Sequence, residues 1–267
     1  MNNVIDAELK AIHNAAFNLY NREKLLIKSR PASSDSINAT NFLSEQAILF
    51  ADAALYLMED VGRPLNSAAA LLRTCLEAQA KANHIIALAG EEREKLAFEF
   101  LQLKDVGHEY FDILALQKTK DFNPDVSNTL PRELPYLAAI KPLVEKCDTS
   151  NLEALKNKYK ALNGKWSYGK IIERGKFSDP VWQNRSEPQR LQPELDLRYI
   201  TMCVFVHCDP TSLKLAPTPL SLAYIAVIAE VAAVLCFFVA LGKEKDQDLL
   251  NLKNNLIAFN VNGKRHE

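Results

Sequence analysis

The chain has 267 residues, enough for one large domain or two small ones. Its 32 Lys and Arg against 33 Asp and Glu leave no global field to draw it towards nucleic acid or an anionic membrane, so any such contact must come from a local patch. Only 8 glycines and 12 prolines, among abundant Ala, Leu, Glu and Lys, disfavour a sheet protein and predict an all-α fold, read as a single helical domain of about eight or nine helices.

From Val4 to about Ser29 apolar positions recur at three or four: Ile5, Leu9, Ile12, Ala16, Leu19 and Leu26. This opening segment has no charged stretch followed by an apolar core, so no signal peptide is expected and the protein reads as cytoplasmic. Pro31 and the polar Ser33 to Ser36 close that helix. A second helix is expected from about Ala39 to Glu59, with Phe42, Ala47, Leu49, Phe50, Ala53, Ala54 and Leu57 inward, completing an N-terminal pair over residues 1–62. The bundle core is expected over 66–242, followed by a largely polar tail over 243–267.

Ser67 is a plausible N-cap for a third helix reaching Ala89. At about 100° per residue, Glu77 lies about 40° and His84 about 20° from Arg73, so the three share one stripe. Lys81 and Thr74 lie beside it. The stripe reads either as a solvated face or as one wall of a polar pocket between helices, because Leu76, Ala80, Ala69, Ala87 and Leu88 border it.

Residues 91–118 read as a charged, exposed helix. After a loop with Pro124, Pro131 and Pro135 come two shorter helices, at about Tyr136 to Lys146 and Asn151 to Leu162. Gly164 to Leu195 is the least regular region and holds both tryptophans. Within it Ser167 can cap a short helix through Ile171 and Ile172. An apolar run, Leu197 to Pro210, ends on His207, where a titratable ring serves either chemistry or the cap of a helix dipole.

Ser221 to Gly242 is long enough to span a bilayer. Glu230 near its centre and its many alanines favour instead the central helix of a bundle, apolar all round because it is surrounded. The five cysteines are odd in number and scattered, as reduced thiols are. His207 lies between Cys203 and Cys208, but no Cys-x-x-Cys or His-x-x-x-His pair accompanies them, so neither metal nor cofactor is expected.

Three motifs then fall in order: Arg73 and Glu77; Trp166, Gly169, Lys170, Ile172 and Glu173; Tyr199 and His207. Together they resemble a bacterial all-helical family known only as a domain of unknown function, over roughly Leu71 to Asp209. An extra residue separates Trp166 from Gly169, Ile171 stands where that family has serine, and Cys203 replaces the serine before the histidine. The family is in turn loosely similar to the helical bundles named for nucleotide binding in higher eukaryotes and prokaryotes, many of which are ribonucleases of toxin–antitoxin and phage-defence systems. The resemblance implies RNA as a partner, metal-independent cleavage and a site composed by two protomers.

Arg198 and His207 fall about 180° apart on a helix, so any cation beside His207 must come from Arg73 or Lys170. Two functions follow. In the first, an RNA-cleaving or RNA-binding effector uses His207 as general acid or base, Arg73 and Lys170 against phosphate charge, Glu77 to orient Arg73, and Tyr199, Trp166, Glu173 and His84 around the substrate, with Trp166 offering a stacking face. In the second, a non-enzymatic scaffold or antidote, paired with itself or with a protein encoded nearby, uses Arg73, Glu77, Tyr199 and His207 as a buried network that fixes helix register.

Overall fold

The computed structural model describes residues 2–30, 33–58, 65–122, 142–146, 148–174 and 220–241. These residues are 92% helical and contain no strand, which establishes an all-α bundle. The helices are α1 (Asn2–Ser29), α2 (Asp35–Leu57), α3 (Leu65–Ile86), α4 (Gly90–Phe122), α5 (142–146), α6 (Leu152–Trp166), α7 (Tyr168–Arg174) and α8 (Leu220–Leu241).

The bundle is organised around α8. Its side chains from Val227 to Val239 are almost all buried, against α1, α3 and α2. Covering a Val, Leu or Phe side chain contributes about 1.5–3 kcal/mol, so an element apolar on every side is stable in water only when other helices enclose it. Here they do. Among the described residues no helix is long and apolar enough to cross a membrane.

The most extensive helix pairing joins α2 to α3, and small residues make it possible. Ala39, Ala47, Ala51 and Ala54 of α2 and Ala68, Ala69 and Ala80 of α3 are buried at 0–1% exposure, letting the backbones approach until the Cys75 thiol reaches the Ala47 carbonyl at 3.5 Å. The inner face of α2 therefore follows alanines, with Leu43, Ile48 and Leu55 between them, while Leu49 stands 63% exposed. The sequence expectation of Leu49 as an inward position is corrected by this register.

Helix ends are secured by charged side chains from other elements. Ser34 caps α2, accepting from Ile37 N–H at 3.4 Å, and Glu94 of α4 accepts from Ser36 N–H at 3.0 Å and from its hydroxyl at 2.5 Å. These are the orphan donors of a helix start, where a carboxylate is also favoured by the dipole. The Ser36 hydroxyl, then its N–H, holds the Glu94 carboxyl below the usual value. The serines expected to close α1 thus open α2. At the other end of α3, Arg93 donates to the Leu88 carbonyl at 2.7 Å and the Ile86 carbonyl at 3.2 Å, beside Gly90 at φ 55°.

Residues 91–118 are not simply an exposed helix. Ala97, Phe100, Leu103 and Val106 of α4 are buried, where the helix packs on α2 and α6. Other apolar residues, Phe98 and Phe111, stand 51% exposed, so the apolar side chains of α4 do not gather on one face and the periodicity is blurred.

Candidate functional site

The sequence-derived residues do not converge on one cleft within the described chain. Arg73 Nε and Glu77 Oε1 are 3.3 Å apart, with side chains 24% and 29% exposed, so the pair is half screened by solvent. His84, on the same stripe, turns elsewhere: its ring meets Trp166 edge-on at 5.7 Å. Burial pushes the His84 pKa below the ordinary histidine value, and Glu99 acts in the opposite sense.

Trp166 needs a correction. It is 2% exposed, fixed between His84 and Phe100, whose ring centroid is 5.0 Å away. A ring with so little exposed surface offers no stacking face to a base, so Trp166 is a core residue. Its indole Nε1 is buried without a hydrogen-bond partner among the described residues.

Lys170 lies on the exposed side of α7, whose inward face is Tyr168 and Ile171, and α7 packs against α3. Glu173 belongs to α7, but its side chain is outside the described residues. Tyr199 and His207 also lie outside them, as does the run that carries them.

Among the described residues, a concave feature sits one step round α3 from the expected stripe. Helices α3 and α4 share little direct contact, and their splay, with α2 and α6 beside it, leaves a groove of about 450 Å³. From α3 it takes Thr74, Glu77, Ala78 and Lys81; from α4 chiefly Phe100, Lys104, Gly107, His108, Phe111 and Asp112. Phe42 and Gln46 of α2 and Tyr159 and Asn163 of α6 complete it. Glu77 is the one sequence-derived candidate that lines it. On a helical projection the α3 wall centres on Lys81, about 80° from Arg73, which explains why a stripe drawn through Arg73 touches only its edge.

Desolvation holds the Lys81 ammonium below the usual lysine pKa, with Glu77 pulling the other way. Lys104 lies 4.7 Å over the Phe42 ring. Tyr159 stacks on Tyr110 at 5.5 Å and meets Phe111 edge-on at 5.1 Å. Gly107 permits this: a Cβ there would come within 3.3 Å of the Tyr159 ring.

A second polar cluster lies inside the bundle, built from residues outside the sequence motifs. Glu23, at 0% exposure, pairs with Arg30 through contacts of 2.9 and 3.1 Å and accepts from the Ser44 hydroxyl at 2.5 Å. Arg30 also donates to the Phe238 carbonyl at 2.9 Å. That carbonyl is among the last four of α8, which lack helical partners, so Arg30 caps α8 while neutralising Glu23. The pattern holds a signal for it: after Ala16 and Leu19 the inward positions of α1 continue through 23, and a carboxylate there requires a cation within reach.

No family model matches the chain, and no curated protein or solved structure matches it. The functional reading therefore rests on the residues themselves.

Proposed function

We propose that the chain is a helical-bundle effector acting on RNA, in a cytoplasmic bacterial defence or toxin–antitoxin type setting, with metal-independent chemistry at His207. One observation supports this reading. The two motif segments within the described residues, far apart in sequence, lie against each other: α3 packs on α7, and His84 meets Trp166 at their junction. Arg73, oriented by Glu77 at 3.3 Å, and Lys170, on the outer side of α7, are then the cations for a phosphate, and His207 with Tyr199 supplies the proton transfers. A homodimer or a protein encoded nearby is the expected partner. The test is cleavage of a labelled single-stranded RNA, together with host growth arrest, by wild type, Arg73→Ala and His207→Ala. Loss in both variants with intact folding supports the reading; equal activity in all three removes these residues from it.

The second reading, a non-enzymatic scaffold or antidote, is favoured by the Glu23, Arg30 and Ser44 cluster, because buried charge here is spent on joining α1, α2 and α8. Under it no variant of Arg73 or His207 alters RNA, while Glu77→Ala and His207→Ala lower thermal stability.

A further inference from the structure

The groove between α3 and α4 has chemistry that the RNA reading does not use. Its volume of about 450 Å³ falls in the range of small-molecule sites. Two lysines, Lys81 of α3 and Lys104 of α4, line it. Lys81 takes part in no hydrogen bond or contact ion pair among the described residues, and the carboxylate one turn before it, Glu77, is in contact with Arg73. Lys104 is steadied over the Phe42 ring. Further along the α4 wall, Asp112 lies about 12 Å from Lys104 along the helix axis and repels a second negative charge. Between them Phe111, 51% exposed, and Tyr159 present aromatic surface, the ring of Tyr159 set close to α4 by Gly107.

We propose that this groove binds a small anionic ring compound, its anion held by Lys81 and Lys104 and its ring against Phe111 and Tyr159. The polarity follows from the charges that line the groove: an anion is drawn to the lysines and away from Asp112, while a flat ring finds edge-to-face or offset partners in Phe111 and Tyr159. Lys81 also gains most from such a ligand. Burial disfavours its ammonium, Glu77 opposes this only in part, and a bound anion adds to that opposition. The site stands or falls separately from any action on RNA, since neither Arg73 nor Lys170 lines it.

Isothermal titration of the full chain with 2-naphthoate, 2-naphthyl phosphate and the neutral 2-naphthalenemethanol tests this. At least one anion is expected to bind roughly tenfold more tightly than the alcohol, the increment of a charge-assisted contact. Lys81→Met removes that preference and leaves the alcohol's affinity unchanged; Phe111→Ala weakens all three. Whichever anion is preferred identifies the ligand as a carboxylate or a phosphate. Should Lys81→Met fail to fold by circular dichroism, Lys104→Met provides the same comparison. Equal affinity of anions and alcohol for wild type, no binding of any probe, or a preference that survives in both lysine variants overturns the proposal.

Discussion

Ser44 on α2 donates a 2.5 Å hydrogen bond to Glu23 on α1 at a point where both residues are completely buried. With Arg30, just past the end of α1, on the remaining side, the carboxylate is satisfied from two directions, and Arg30 carries the connection to α8. Removing one member of a buried pair strands the other. Glu23→Ala is expected to cost about 3–5 kcal/mol in chemical denaturation, whereas the double change Glu23→Leu, Arg30→Met is expected to recover most of that loss. A single variant as stable as wild type would show that the pair is not under constraint.

The same carboxyl gives a pH dependence of defined sign. Burial raises the Glu23 pKa above 4.5, and Arg30 followed by the Ser44 hydroxyl only partly opposes it. The folded state therefore holds a proton that the unfolded chain has lost, and the associated stability is fully present below about 4.5 and declines as pH rises through the folded value. The stability difference between wild type and Glu23→Gln is expected to shrink with rising pH across that window, then level off. A difference that grows with pH would mean that Arg30 outweighs desolvation.

Trp166 separates packing from recognition. As a core side chain at 2% exposure, its replacement by alanine is expected to cost about 3–5 kcal/mol, and by phenylalanine distinctly less. Thermal melts of the two variants give the measurement. If Trp166→Ala instead leaves the melting temperature unchanged and abolishes RNA binding, the indole is a recognition surface after all.

The helices were legible because their signals are local: spacing, capping residues and prolines lie within a few positions of one another. The enclosed apolar helix α8 was legible for the same reason, as Val227 to Val239 offer no polar face at all apart from Glu230. The site was not, because it depends on which helix faces meet. In sequence Lys81 is only a neighbour of Arg73, and Lys104, His108 and Phe111 read as part of a charged, exposed helix. Nothing local to α4 indicates that α3 stands off from it while α2 and α6 close in. Glu23 was legible in principle, as a charge at an inward position of α1, but its partners Ser44 and the Phe238 carbonyl come from other helices.

The most direct measurement is fluorescence anisotropy of a labelled single-stranded RNA titrated with wild type and with Arg73→Ala, at two salt concentrations. The account predicts salt-sensitive binding by wild type, as phosphate neutralisation requires, and a marked loss in Arg73→Ala at unchanged helical content. Binding that is absent from wild type, or identical in the two proteins, would contradict it.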